Sequence, residues 1–460
     1  MSEALTWLTG WELRELIGKR EVSPVEVTEH FLRRIDELDP LLHAMRHVDK
    51  EGALRQARAA EPAVLEGGAL GLLHGVPIAV KEHIAVEGLP SMFGPASQCD
   101  DIGVERLRAA GAIVVGTTKM PGMGSVGLFG GAGESLEDHP RNPWDTTKVP
   151  GSSSAGSAAA VAAAMLPLAI GSDGGGSTRL PAAFCGIVGL HPTVGRIPFV
   201  DYQMPRLALT ITIGPLCRDA RDAATVLQVM AGPDGRDFGC LQSDPPRYVA
   251  ALDEGIEGLR LTWTDDFGYA GRYAGEESPR VIAAVRRAAD GLRARGATLE
   301  PTSEPWEDFW PGYMITGRAL KDGPMAFGGH APPTPAEYRA AAETRARNRE
   351  RFARLFAGHD ALLSVTSQRV TRSVEEWHAN WNARGETFPH GTYAPTYTSH
   401  THMFNWLGWP AISVPCGFVD GLPIGLQIIG RPDREDVVLR LAHAFVDAFP
   451  RAERPAAVSS

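Results

Sequence analysis

Cysteine and lysine are scarce in this sequence. The 460 residues include only five cysteines and six lysines, against 51 glycines and 35 prolines. No cysteine belongs to a Cys-x-x-Cys pair, so neither a disulfide framework nor a zinc knuckle is indicated, and we expect a cytoplasmic protein in a reducing environment. Because lysine is rare here, a lysine among apolar residues needs a physical explanation.

The sequence also lacks a long hydrophobic run and an excess of basic residues. Its longest apolar run, residues 158–170, has 13 residues and contains Pro167, whereas a membrane span needs ~20. The 45 basic and 55 acidic side chains give a formal charge of −10 without a basic stripe, which argues against a nucleic-acid groove or an anionic membrane surface. We therefore expect a small molecule as partner, with no nucleic acid and no membrane, and a homodimer is left open.

The pattern of apolar residues predicts an α/β fold. Helical periodicity and the capping sequence SPVE at 23–26 predict N-terminal helices over 4–60. Short β-branched runs then alternate with helical segments, which is typical of a large mixed sheet covered by helices on both faces. We predict a single domain over 1–460, with a core at about 74–240 and an aromatic-rich, partly helical insert at about 300–400.

A glycine-rich loop surrounds one serine in the stretch GSDGGGSTRLPAAFCG, residues 171–186. Backbone N–H groups without side chains can approach a developing oxyanion closely, so Gly174, Gly175 and Gly176 are candidate oxyanion donors beside the Ser177 hydroxyl. The same composition can cradle a phosphate or form a plain turn, so the loop alone leaves both open. No Gly-x-Ser-x-Gly elbow occurs, which argues against a Ser–His–Asp hydrolase and requires a different base.

Lys81 is the candidate base. It lies in GVPIAVKEHIAV, residues 75–86, where burial among apolar residues would lower the lysine pKa and leave a neutral amine. A strand-end lysine that extends to solvent is the alternative. A third stretch, KVPGSSSAGSAAAVAAAM at 148–165, places three serines before an alanine-rich helix, where they either take part in chemistry or only cap the helix.

Together these stretches resemble the amidase signature family. The lysine strand, the serine-glycine-alanine block and the segment PLAIGSDGGGSTRLPAAFCGIVGLHPT at 167–193 stand in the family's order, and the likeness extends to 141–145, 214–237 and 404–430. The resemblance implies one α/β/α unit with a large, twisted mixed sheet. It also implies a hydrolase that cleaves carbon–nitrogen amide bonds and needs no cofactor and no metal.

The resemblance further implies a catalytic triad. Ser177 would be the nucleophile, Ser153 the bridging serine in a cis peptide, and Lys81 the base. An ungapped alignment gives Ser153 the bridging role, and a slip of one residue would transfer it to Ser154.

Other residues are expected to support this triad or to contact the substrate. We expect Asp173 and Arg179 to fix the loop by hydrogen bonds and charge pairing, with an ordinary surface pair as the alternative, and Ser172 to contact the triad. The resemblance places 116–125 at the acyl pocket, which makes Gly122 and Met123 candidate substrate-binding residues.

Aromatic residues are concentrated towards the end of the chain. They are Trp306, Phe309, Trp310, Tyr313, Trp377, Trp381, Phe388, Tyr393, Tyr397, Phe404 and Trp406. Such rings either form an apolar or aryl substrate pocket or pack the core beneath long loops. His400 and His402 are interpreted as solvated loop residues and not as a metal site.

The sequence therefore predicts an amidase that acts on a small apolar or aromatic substrate through a serine acyl-enzyme, with aryl esters and carbamates as further candidate substrates. One alternative is the glutamine-hydrolysing subunit of a tRNA-dependent amidotransferase, although Thr398 stands where relatives of that type carry an aspartate. Another is an inactive protein that binds a small molecule or anion, although all three triad positions are occupied.

Overall fold

A computed structural model describes residues 2–91, 94–121, 135–200, 211–319, 333–382, 393–449 and 453–458. The helices in these ranges are α1 (Ser2–Thr6), α2 (Gly10–Gly18), α3 (Pro24–Leu42), α4 (Lys50–Glu66), α5 (Ile102–Ala109), α6 (Ala155–Ala162), α7 (Arg179–Cys185), α8 (Ala220–Met230), α9 (Tyr248–Ala251), α10 (Ser278–Asp290), α11 (Trp310–Ala319), α12 (Pro335–Gly358), α13 (Val374–Asn382), α14 (Tyr393–Thr398), α15 (His402–Leu407) and α16 (Glu435–Ala448).

The strands in these ranges are β1 (Met45–Val48), β2 (Pro77–Lys81), β3 (Pro90–Ser91), β4 (Gly94–Ala96), β5 (Ile113–Thr118), β6 (Leu168–Asp173), β7 (Val188–His191), β8 (Thr212–Cys217), β9 (Arg260–Trp263), β10 (Thr298–Pro301), β11 (Ala361–Val365), β12 (Ala411–Val419) and β13 (Leu422–Ile429). Short 3₁₀ turns lie at Leu252–Glu254, Ala270–Tyr273, Gly291–Arg295 and Ala456–Val458. No helix in these ranges combines the length and apolar character needed to cross a membrane.

Eleven of the described strands form one mixed sheet. Their order is β1-β5-β2-β6-β8-β7-β12-β13-β11-β9-β10, and β3 pairs with β4 separately. The strands β5, β2 and β6 run parallel to one another, as do β11, β9 and β10, whereas the pairs between β6 and β11 are antiparallel. The predicted mixed sheet is therefore confirmed.

Helices cover both faces of this sheet because successive strand residues point to opposite sides. In β2, Ile78 and Val80 belong to a core cluster with residues of α5, α8, α10 and α16. Ala79, between them, belongs to a cluster with residues of α2, α3, α4 and α6. The predicted covering of both faces is thus confirmed, and β2 lies deep in the molecule with every residue buried.

The N-terminal segment differs in one respect from the prediction of helices over 4–60. The capping box at Ser23 and Glu26 starts α3, but Met45–Val48 form the edge strand β1, which pairs antiparallel with β5. Four residues are too few to give a clear alternating pattern, and it is pairing with a distant strand that makes this stretch extended.

The aromatic-rich segment contributes both a strand and a core cluster. Strand β11 lies between β13 and β9, inside the sheet. Many of the rings pack together on one face of it; this cluster contains Phe267, Tyr269, Trp306, Phe309, Trp310, Phe352, Phe356, Phe404, Trp406 and Trp409. Seven of the rings singled out in the sequence are therefore core residues: five belong to this cluster, and Trp377 and Tyr397 are buried in smaller clusters. Phe388 and the side chains of Trp381 and Tyr393 lie outside the described residues.

Candidate active site

Lys81 is the last residue of β2, where the strand runs between β5 and β6. Its side chain is completely buried. Strands β5 and β6 flank β2, and every residue of β2 is buried, so the Lys81 side chain has no surface in contact with solvent. The solvent-exposed lysine that the sequence left open is excluded.

The amine of Lys81 is surrounded by serine oxygens. Its Nζ lies 2.8 Å from Ser153 Oγ, 3.0 Å from Ser154 Oγ and 3.0 Å from Ser172 Oγ, with the Ser172 carbonyl oxygen at 3.4 Å. Burial lowers the pKa of Lys81 to about 7, although the charges of Asp173 and Glu82 act in the opposite direction. Burial therefore favours the uncharged amine.

The three serines before α6 have different environments. The peptide bond between Ser152 and Ser153 is cis, and the Ser153 side chain is partly exposed. Ser154 is fully buried; its hydroxyl donates to the Ser172 carbonyl at 3.2 Å and accepts from the Ser172 N–H at 3.3 Å. Ser154 thus ties the serine block to β6, whereas the Ser153 hydroxyl contacts the Lys81 amine from a partly exposed residue.

Ser177 follows the glycine run, in the turn between β6 and α7. Its carbonyl accepts a 3.1 Å hydrogen bond from the Ser154 N–H, which brings the nucleophile candidate against the serine block. The Ser177 side chain is partly exposed, in contrast to its buried neighbours Gly176 and Thr178. The fold therefore gathers Lys81, Ser153 and Ser177 from three separate stretches of the chain.

Asp173 and Arg179 flank this turn as a fully buried ion pair, not as the surface pair left open by the sequence. Arg179 Nε donates to Asp173 Oδ2 at 2.9 Å, and both side chains have no exposed surface. Burial by itself raises the pKa of the Asp173 carboxyl, but the Arg179 charge and hydrogen bonds outweigh this and lower the pKa well below its usual range.

The N–H groups of the glycine run are not equivalent. Gly176, at φ +121°, donates its N–H to Asp173 Oδ1 at 2.6 Å, so this group is already used inside the turn. The N–H groups of Gly174, Gly175 and Ser177 have no hydrogen-bond partner among the residues described. The expectation that Gly176 is an oxyanion donor is therefore corrected, because its hydrogen is directed at the carboxylate.

A distant segment completes the site, although the sequence motifs predicted no role for it there. Asn405 donates to both the carbonyl and the carboxylate of Asp173 at 2.9 Å, and Thr401 Oγ1 donates to the Gly175 carbonyl at 2.8 Å. The likeness of 404–430 to the amidase signature family was the one signal that could have pointed here. These bonds join residues more than 220 positions apart in the sequence.

The interpretation of His400 and His402 as solvated loop residues is wrong. Both are buried, and His402 is the first residue of α15. Burial lowers the pKa of His400 to about 4 and that of His402 to about 3. No group of three metal-ligating side chains occurs in the described ranges.

The two candidate substrate-binding residues, Gly122 and Met123, lie outside the described residues. Lys119, three residues before Gly122 in the sequence, is buried and forms an ion pair with Asp138.

Known proteins resemble this chain over almost its whole length. The model of the Amidase family matches residues 26–324 and 326–439. An acylamidase of Rhodococcus erythropolis is 32% identical, with 99% of this chain and 98% of that protein covered. A glutamyl-tRNA(Gln) amidotransferase subunit of Moorella thermoacetica is 33% identical, with 96% of each chain covered.

The structure agrees with these sequence matches. The crystal structure of a bacterial aryl acylamidase of the amidase signature family is similar at a TM-score of 0.80 and 26% identity, over 97% of each chain. The chain belongs to the amidase signature family and is an enzyme that hydrolyses amides.

Proposed function

We propose that this enzyme hydrolyses small aryl acylamides through an acyl-enzyme on Ser177, with Ser153 and Lys81 as the proton relay. The observation that carries the proposal is the buried Lys81 amine, 2.8 Å from Ser153 Oγ and with a pKa of about 7. A general base works best when its pKa lies near the working pH, because it then combines an available lone pair with proton affinity.

The proton moves in two linked steps. Ser177 Oγ gives its hydrogen to Ser153 Oγ while Ser153 gives its own hydrogen to the neutral Lys81 amine. The Ser177 oxygen forms a bond to the amide carbonyl carbon, and the carbon–nitrogen bond breaks as the leaving nitrogen takes a proton back through the same relay. Water then attacks the ester by the same route, which releases the acid and restores the Ser177 hydroxyl.

The oxyanion would be held by the N–H groups of Gly174, Gly175 and Ser177. These groups are free of hydrogen bonds in the described part of the chain, and the buried Asp173–Arg179 pair keeps the turn that carries them rigid. Donors fixed in advance stabilise the transition-state charge without reorganisation, and each is worth ~3 kcal/mol.

The preference for an aryl substrate is supported by Tyr313, a ring near the glycine run that is only partly buried. His402 touches Gly175 and packs against Phe309, Trp310 and Tyr313. The relatives named as an acylamidase and an aryl acylamidase point in the same direction. Activated aryl esters and carbamates would react by the same attack on a carbonyl.

Glutamine hydrolysis for a tRNA-dependent amidotransferase is the second candidate. The similarity to the Moorella thermoacetica protein supports it, because that identity is as high as the identity to the acylamidase. Against it stands Thr398, at the position where the family resemblance leads us to expect an aspartate, and a net charge of −10 with no basic stripe for tRNA. A substrate comparison separates the two.

The test measures kcat/KM for a short aliphatic amide, an anilide, a p-nitrophenyl ester and glutamine, with intact mass spectrometry of the acyl-enzyme. We expect the anilide to be preferred and Ser177→Ala to lose the mass shift and at least ~10³-fold in rate. The rate of Ser153→Ala should fall far more than that of Ser154→Ala, because the Ser154 hydroxyl, although 3.0 Å from Lys81 Nζ, is fully buried and bonded to β6. Full activity in Ser177→Ala would refute the nucleophile, and a preference for glutamine would favour the second candidate.

A further inference from the structure

A side chain at position 175 is excluded by a steric contact. Gly176 has φ +121°, whereas Gly175 does not have a positive φ, so a left-handed backbone is not what requires glycine at 175. A Cβ atom at this position would nevertheless lie 2.0 Å from His402 Nε2 and 2.5 Å from His402 Cδ2 and Cε1. The imidazole of His402, and not backbone conformation, is what excludes a side chain at 175.

The imidazole of His402 is held firmly in this place. Its ring stacks on Phe309 with centroids 5.6 Å apart and planes at 21°, and it meets the edges of Trp310 and Tyr313 at 5.5 Å and 4.4 Å. The side chain is buried, and its Nδ1 has no hydrogen-bond partner within the described ranges. Packing against three rings therefore fixes the imidazole, with little help from hydrogen bonds.

The neighbouring contact acts on the same turn. Thr401 Oγ1 donates to the Gly175 carbonyl at 2.8 Å, so the start of α15 holds Gly175 by its carbonyl and packs His402 against its Cα. The Gly175 carbonyl belongs to the same peptide as the Gly176 N–H, which donates to Asp173, so this peptide is fixed at both ends. His402, packed beside the Gly175 Cα, limits the rotation that would turn the adjoining Gly174–Gly175 peptide, and so keeps the direction of the Gly175 N–H group. At an oxyanion hole, a small change in that direction weakens the hydrogen bond to the transition state.

We infer that His402 is a positioning residue for the oxyanion turn, residues 174–177: its imidazole packs against Gly175 and fixes the direction of the Gly175 N–H group. The inference rests on the proposed function, because it assumes that Gly174, Gly175 and Ser177 donate to the oxyanion. His402 acts through the backbone and takes no part in the relay between Ser177 and Lys81.

A double-mutant cycle tests the packing. Gly175→Ala, His402→Ala and the double variant are compared for kcat and KM on an anilide. We expect Gly175→Ala to lose at least ~100-fold in kcat and His402→Ala ~10-fold, with KM within about threefold, since an oxyanion donor acts in the transition state. The double variant should recover at least ~10-fold over Gly175→Ala, because alanine at 402 leaves room for the new methyl group.

Gly176→Ala, alone and combined with His402→Ala, is the matched control. Its Cβ would meet Thr401 Oγ1 at 2.3 Å in a backbone conformation with positive φ, so we expect no recovery there. If the fold-loss in kcat of the double variant at 175 and 402 is at least the product of the two single fold-losses, the inference is overturned. If Gly175→Ala fails to fold, folding of the double variant would support it.

His402→Ala keeps the inference falsifiable if neither 175 variant folds. Unchanged kcat in this variant, with circular dichroism and melting temperature near those of the wild type, would overturn it. Failure of the proposed function looks different, since wild-type enzyme would then give no covalent adduct on Ser177 with any acyl probe. Additive losses in variants that still acylate at Ser177 would overturn only the role of His402.

Discussion

The uncharged Lys81 amine makes stability depend on pH, with a sign that can be worked out. In the unfolded chain the amine keeps its proton up to about pH 10, whereas burial lowers the pKa in the folded protein to about 7. Between these values the unfolded state binds more protons than the folded state. The free energy of unfolding must therefore rise with pH across this window, and Lys81→Met should remove this rise.

The size follows from the two pKa values. A difference of one bound proton changes the free energy of unfolding by ~1.4 kcal/mol per pH unit. At pH 7 the folded amine is about half protonated, so the difference starts near half a proton and approaches one proton by pH 9. The wild type should gain roughly 2 kcal/mol over Lys81→Met between pH 7 and pH 9.

Urea unfolding of both proteins at pH 7, 8 and 9, followed by circular dichroism, measures this difference. Subtracting the free energy of unfolding of Lys81→Met from that of the wild type cancels the contribution of the other titrating groups, because only position 81 differs. The kcat/KM of the wild type should rise through about pH 7 as the amine loses its proton. A stability difference that stays constant from pH 7 to pH 9 would refute the reasoning, since it would mean that Lys81 stays charged in the folded protein.

Two further predictions concern the support of the site. Asp173→Ala leaves the Arg179 guanidinium buried without its carboxylate and should cost ~3–5 kcal/mol of unfolding free energy; a loss below ~1 kcal/mol in urea titrations would contradict this. Trp306→Ala removes a ring stacked 4.6 Å from Phe352 and should cost ~3–5 kcal/mol with an unchanged KM, whereas a large rise in KM for an anilide would indicate contact with the substrate.

The local chemistry of the site could be predicted from the sequence because it depends on composition over short stretches. A lysine within an apolar strand run, a glycine run before Ser177 and a serine block before an alanine-rich helix each need only a few neighbouring residues. The fold class followed in the same way from alternation of apolar runs with helical segments. These patterns, with the family resemblance they carry, were sufficient to single out Lys81, Ser177 and the serine block before α6.

Details within each stretch needed the structure. Only the structure shows that the Ser154 hydroxyl donates to the Ser172 carbonyl of β6 and that the Gly176 N–H donates to Asp173. Both outcomes depend on the direction of a hydrogen atom. Residue type and spacing carry no information about that direction.

The sequence by itself determined which reactive side chains are present and which short stretches contain them. Tertiary structure alone decided which groups are in contact. Thr401 and Asn405, more than 220 residues away in the sequence, hydrogen-bond the turn before Ser177. Met45–Val48 form a strand only by pairing with β5. The physical reason is that local patterns report local backbone preference, whereas the order of strands in a mixed sheet and the neighbours of each buried group are set by packing of the whole chain.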